Sequence, residues 1–239
     1  MFNHTVLCLP RSEAIRHAAA YLRGLGISVT EKCAPDVTHL LLPVPSFSGG
    51  DKYLAHILAK LPEKLIISGG NLNSPLLEGH ACVDFLRDET YLAANAAITA
   101  DCAFMILENA TNSDLSGKSA LVLGWGRIGK CLQRLLLERG ADVTVAARRD
   151  LGTIRSLGGR SIHIGDAAEE TQRYDMIINT VPQLLFPDMR AKEDATVLEL
   201  ASRPGMTGPN IIDGRGLPGK LAPRRSGELI GKTFIRLSI

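Results

Sequence analysis

The chain has 239 residues, 45% of them apolar and 22% charged, with 27 lysines and arginines against 25 acids and a formal charge of +2. That length suits two domains of roughly 100 to 150 residues each, and the composition can bury a core and excludes a disordered chain. So small a charge bias, without the aromatics of an RNA-binding module, excludes a nucleic-acid partner.

The five cysteines (Cys8, Cys33, Cys82, Cys102, Cys131) are odd in number and form no C-x-x-C pair, and three of them lie in apolar patterns. They read as reduced structural thiols and place the protein in the cytoplasm. The opening MFNHTVLCLP has no basic start, and its apolar run is far shorter than a span of roughly 20 residues, so no membrane association is expected.

HTVLCLP reads as a strand and SEAIRHAAAYLRGLG as an amphipathic helix that opens on Ser12 and closes at Gly24 or Gly26. THLLLPVP is a strand, DKYLAHILAKLP a helix, KLIISGG a strand ending in glycines and ACVDFL a short strand. Alternating apolar strands and helices predict a parallel sheet covered on both faces, an α/β lobe over residues 1 to about 88. DETYLAANAAITADCAFMILENA then sets Leu92, Ala96, Thr99, Ala103, Ile106 and Leu107 at helical spacing without a breaker. This predicts one long helix bridging two lobes, and the polar cluster TNSDLSGK after it ends the first domain at 112. Strand signals recur in SALVLG, DVTVAAR, RSIHIG, DMIINTV, ATVLELA and NIIDGR, a second alternating α/β domain over 113–222. APRRSGELIGKTFIRLSI closes the chain as a helix, 223–239, expected to pack back on the first lobe.

Gly124, Gly126 and Gly129 form G-x-G-x-x-G between the strand SALVLG and the helix RIGKCLQRLLLERG. In that setting the first glycine allows a tight turn, the second lets backbone approach a pyrophosphate, and the third lets helix and strand pack closely. The N–H groups of Arg127, Ile128 and Gly129 at the helix start complete an anion site, so a bound dinucleotide is expected. An NAD site carries an acid at the end of the second strand, roughly 20 residues on, to accept from the ribose 2′-OH. VTVAARR ends instead in Arg148 and Arg149, whose guanidinium groups suit a 2′-phosphate, and the expected cofactor is NADP(H). DMIINTVP ends in Asn179, Thr180 and Pro182, at a strand terminus expected to face the cofactor.

With LVLGWGRIG, VTVAARR, INTVP, LELASRPG and GLPGKLAP in this order, and LLPVPSFSGG, LIISGG and FLRDETYLAANAAITADCAF upstream, the chain resembles the dipicolinate synthase family, in particular the A component of that two-component enzyme. The resemblance implies an α/β fold of two Rossmann-like lobes with parallel sheets joined by a long helix. It further implies NADP-dependent oxidation of dihydrodipicolinate, or of its hydroxytetrahydro precursor, to dipicolinate in spore formation. The flavoprotein-like B component of dipicolinate synthase is the implied partner, and a homo-oligomer is expected. The family's helix usually carries Pro-Thr-Ala-Glu-Gly, where this chain has Ile98, Thr99, Ala100, Asp101 and Cys102. It is also shorter than typical members, mainly in the first lobe and at the C-terminus.

A dicarboxylate substrate calls for cations and N–H donors. Ser202 and Arg203 match the family's Ser-Arg-Pro-Gly, with Arg203 a clamp for a carboxylate. Thr99 and Asp101 lie on the bridging helix, with Asp101 as the candidate general base. Gly216, Leu217, Pro218 and Gly219 match a further family segment, in which Lys220 stands where an apolar residue is usual. In the first lobe Ser46, Ser48 and Gly49, and Ser68, Gly69 and Gly70, are expected to offer donors to a substrate held between the lobes. Six histidines lie without metal spacing, so no metal is expected. The alternative reading is a non-catalytic NADP(H)-binding protein of the same fold, acting as a binding component or a redox sensor.

Overall fold

The computed structural model describes residues 4–46, 51–112 and 114–239. The chain divides into two compact units, Met1–Asn95 with Pro218–Ile239, and Ala96–Leu217. The division falls inside the long helix and ahead of the polar cluster at its end.

In the first unit β1 (Thr5–Cys8), α1 (Glu13–Gly24), β2 (Ser28–Thr30), β3 (His39–Leu41), α2 (Asp51–Leu58), β4 (Ile66–Gly69) and β5 (Ala81–Asp84) follow in turn. The strands form one parallel sheet in the order β2-β1-β3-β4-β5. Ser12 caps α1 by accepting from the Ile15 N–H at 3.3 Å, and Ala14, Ile15, Ala18, Ala19 and Leu22 bury one stripe of that helix. The closing helix α8 (Pro223–Ser238) packs along α1 in the same core, with Ile230 and Phe234 buried. Gly227 is part of the reason the two helices approach so closely: a Cβ there would stand 2.8 Å from the Ala18 amide nitrogen. The end of α8 is bonded to the sheet, where the Ser238 carbonyl meets His39 Nε2 at 3.0 Å and its hydroxyl meets Ser68 Oγ at 2.8 Å. Burial is the main force holding His39 below the ordinary imidazole pKa.

Two first-lobe expectations change here. The Ser68 hydroxyl is wholly buried on Ser238, and Ser46 Oγ donates to the Pro43 carbonyl (2.7 Å) while accepting from the Gly70 N–H (3.0 Å). Both hydroxyls therefore hold the sheet together and are not offered to a substrate. Ser48 and Gly49 lie outside the described residues.

Helix α3 (Glu89–Ala110) is continuous over the predicted span, with the Asp88 carboxylate accepting from the Tyr91 N–H at its start. It is long and apolar enough to cross a membrane, yet half of its most apolar stretch is buried within the protein, as in a core helix. None of the five cysteines forms a disulfide, and burial pushes the Cys8 thiol up to about 12.

The second unit runs β6 (Ser119–Leu123), α4 (Arg127–Glu138), β7 (Asp142–Ala147), α5 (Leu151–Ser156), β8 (Arg160–His163), α6 (Ala167–Glu170), β9 (Met176–Asn179), β10 (Thr196–Glu199) and β11 (Ile211–Asp213); α7 (Leu217–Leu221) starts on its last residue and belongs from Pro218 onward to the first unit. All six strands are parallel, in the order β11-β10-β9-β6-β7-β8. Chain order reverses between β6 and β9, and in such sheets ligands bind at the carboxyl ends of the strands beside that reversal. Leu121, Ile177 and Val197 on the central strands belong to the core below it.

At the opposite, amino end of this sheet Asp175 accepts from the Ser119 N–H (2.8 Å) and hydroxyl (2.7 Å) and pairs with Lys192 Nζ at 2.7 Å. These partners, Lys192 foremost, hold its carboxyl well below the usual range. A depressed folded pKa contributes stability above the unfolded value of about 3.9 and loses it as pH falls toward the folded value. Unfolding midpoints should therefore drop as pH falls below about 4, and Asp175→Asn should flatten that slope while lowering stability at neutral pH.

Candidate functional site

The glycine turn occupies the reversal point between β6 and α4. Gly124 has φ of +93°, and a Cβ there would lie 2.6 Å from Val181 Cγ2 and 2.7 Å from Thr180 Oγ1. Gly129 is confined from the other side, because a Cβ would collide with the Gly124 carbonyl oxygen, so helix and turn meet through bare backbone. Gly126 differs from both. It stands at the N-cap of α4, where an added Cβ would meet nothing within 4 Å, and no side chain caps the helix. An α-helix leaves its first N–H groups outside its own hydrogen-bond ladder, here those around Ile128 and Gly129, and the open space over Gly126 is where an anion would meet them.

Arg148 and Arg149 follow directly on β7, the neighbour of β6, and are exposed. Among the described residues neither guanidinium has a hydrogen bond or ion pair. Asp150 comes next, in a left-handed conformation (φ of +63°) at the start of α5, and its side chain does not cap that helix. Arg148 and Arg149 are thus two uncommitted cations directly after β7.

On the other side of β6 stands β9. Thr180 closes against the turn, donating its hydroxyl (2.8 Å) and its N–H (3.0 Å) to the Leu123 carbonyl. Pro182 is exposed just beyond. Asn179 has a different position from the expected one. It is fully buried and commits its amide to the Val181 backbone and to Glu199, so it shapes the loop and does not present its side chain to a ligand.

Glu199, the Cα partner of Asn179 on β10, has no place among the expected site residues. It is 3% exposed, and its carboxylate accepts from Asn179 Nδ2 (2.9 and 3.0 Å) and from the N–H groups of Ala201 (2.9 Å), Gly205 (2.8 Å) and Met206 (3.1 Å). This buried carboxylate gathers the loop that carries Ser202 and Arg203. Both of those side chains are exposed, and Arg203 has no partner among the described residues. The sequence signal for Glu199 is an acid inside the apolar run ATVLELA, where a charge survives burial only with several donors.

Thr99 and Asp101 are on α3, outside this row of strand ends. Thr99 is buried and Asp101 half-buried. Two residues apart on one continuous helix, they point roughly 200° apart and cannot both face one ligand. From Leu217 the family segment Gly216–Gly219 forms the start of α7, whose Lys220 is exposed. Among the described residues no group of three or more His, Cys, Asp or Glu could hold a metal ion.

No family model matches the chain. The A component of dipicolinate synthase from Bacillus subtilis is 29% identical over 207 residues, 80% of this chain and 63% of that protein's length. The structure of the corresponding dipicolinate synthase component from Bacillus halodurans aligns with a TM-score of 0.80 at 22% identity, covering 98% of this chain and 97% of that one. The chain is similar to the dipicolinate synthase A component in sequence and in fold. An L-alanine dehydrogenase structure shares the architecture, with a TM-score of 0.65 at 12% identity over 90% of this chain and 74% of its own. The fold is thus the two-sheet α/β fold of Rossmann-type dehydrogenases, and the likeness to dipicolinate synthase extends over both units.

Proposed function

We propose that this protein is an NADP-dependent oxidoreductase of the dipicolinate synthase type, oxidising dihydrodipicolinate, or its hydroxytetrahydro precursor, to dipicolinate during spore formation. The observation that carries the reading is the open, uncapped glycine turn flanked by Arg148 and Arg149 in a chain similar to that enzyme's A component. The first turn of α4 would take the pyrophosphate, and the two arginines the 2′-phosphate, with Thr180 and Pro182 bordering the nicotinamide end. When bound, NADP⁺ would supply a hydride acceptor, so that dihydrodipicolinate yields dipicolinate, NADPH and one proton, the hydroxytetrahydro precursor first losing one water to reach the dihydro level.

The chain's own groups then bind the substrate and take its proton. Arg203, free on the loop that Glu199 gathers, pairs with a substrate carboxylate, and Ser202 adds a hydroxyl donor beside it. Asp101 accepts the proton, and Thr99 backs the helix from its buried side. Aromatisation favours the products, so orientation and exclusion of water matter more than strong acid or base groups. The protein works in the cytoplasm as a homo-oligomer, and its partner is the flavoprotein-like B component of dipicolinate synthase.

Freshly generated dihydrodipicolinate and NADP⁺ should give NADPH and dipicolinate above the spontaneous rate, with or without that partner. Binding of NADP(H) without product in either mixture would favour a non-catalytic NADP(H)-binding component or redox sensor instead. Arg148→Asp should weaken NADP(H) binding by roughly 1 to 3 kcal/mol and leave NAD(H) nearly unchanged, as read by calorimetry.

A further inference from the structure

Gln133 lies outside the row of strand ends and loops that would meet a ligand, yet it touches both halves of the cofactor site. The residue is on the buried stripe of α4 with Gly129, Leu132 and Leu136, and is 3% exposed. A glutamine on an apolar stripe must find partners for both ends of its amide. Its Oε1 accepts from the indole N–H of Trp125 at 2.6 Å, and its Nε2 donates to the Ile154 carbonyl at 3.0 Å. Trp125 is the residue between the first two glycines of the turn, and Lys130 Nζ sits 4.5 Å from its ring centroid. Ile154 belongs to α5, and its N–H donates to the Asp150 carbonyl at 3.0 Å, next in chain to Arg148 and Arg149. Backbone closes around the amide as well, since a Cβ at Gly159 would stand 2.7 Å from Nε2.

We propose that Gln133 is a positioning and specificity residue: it sets the spacing between the phosphate turn and the arginine pair, and so the preference for a 2′-phosphorylated dinucleotide. The inference rests on the nucleotide reading of the site. A 2′-phosphate and a pyrophosphate on one ligand are a fixed distance apart, so a loop held at that distance binds both without losing ordering entropy on association. The turn alone serves NAD(H) and NADP(H) equally, because both carry the pyrophosphate. Loosening the arginine loop therefore acts on the ligand that uses it, and specificity is the difference between the two affinities.

Gln133→Met keeps the length of the side chain while removing both bonds. NADPH affinity should fall about five- to tenfold while NADH affinity stays within about twofold. Trp125→Phe removes only the bond to the turn, and should lower NADPH preference by a smaller factor. Trp125 is the only tryptophan in the chain, so its emission reads the turn and nothing else. In Gln133→Met the emission maximum should shift as the indole loses its buried acceptor. Equal losses for both nucleotides, or an unchanged ratio, in a variant with wild-type melting behaviour would overturn the inference. If Gln133→Met does not fold, the same ratio in Trp125→Phe decides it. Wild-type protein that binds neither nucleotide sinks the nucleotide reading itself. Wild-type protein that discriminates, beside variants that discriminate equally well, sinks only the role of Gln133.

Discussion

Gly129→Ala is expected to lower stability by roughly 3 kcal/mol, at the upper end of ordinary overpacking, and to weaken nucleotide binding on the order of a hundredfold. The added methyl group meets the carbonyl oxygen of Gly124, with the carbonyl carbon at 3.1 Å, so backbone must move where a flexible side chain would simply rotate away. Relief requires the start of α4 to swing off the turn. The N–H groups that would hold a pyrophosphate move with it, and a loss of about 3 kcal/mol in binding is on the order of a hundredfold in affinity. Gly126→Ala is the matched control. Open space surrounds that Cβ, so stability should hold while a bound pyrophosphate is crowded. Urea unfolding midpoints and NADPH titration of the two variants separate packing from recognition.

Glu199→Ala should be at least as damaging to the fold, costing on the order of 4 kcal/mol or preventing folding altogether. Its carboxylate accepts N–H bonds from Asn179, Ala201, Gly205 and Met206. Removing the acceptor strands several buried donors at once, which costs far more than the net value of each bond when made. Glu199→Gln keeps the shape but turns one acceptor into a donor that faces other donors, and a loss of roughly 1 to 3 kcal/mol is expected. In that folded variant the loop bearing Ser202 and Arg203 loosens, so substrate affinity should suffer more than NADPH affinity. Denaturant unfolding gives the first quantity, and parallel ligand titrations give the second.

The fold was legible where period and punctuation agree. Ser12 ahead of an apolar stripe announces α1, the unbroken helical spacing from Glu89 onward announces α3, and the glycine triplet between a strand and a helix announces the turn. What sequence alone leaves open is the direction in which a side chain points and what it meets. Asn179 closes an apolar strand, as a ligand-facing residue would, yet Glu199 draws it inward, a pairing set by the register of β9 on β10. Thr99 and Asp101 look like neighbours in the text and diverge once they are on a helix. Ser46 and Ser68 read as donors near glycines, and three-dimensional packing gives their hydroxyls to Pro43 and Ser238. Gln133 is visible as a polar residue on an apolar stripe, but its partners are 8 and 21 residues away in the chain.

Calorimetric titration of the wild-type protein with NADPH and with NADH asks whether this fold holds a 2′-phosphorylated nicotinamide dinucleotide at the glycine turn. NADPH should bind tighter by about tenfold or more, as expected for a charge-assisted contact to the 2′-phosphate, and the difference should shrink as salt is raised. Equal affinities, tighter binding of NADH, or no heat with either nucleotide would contradict it.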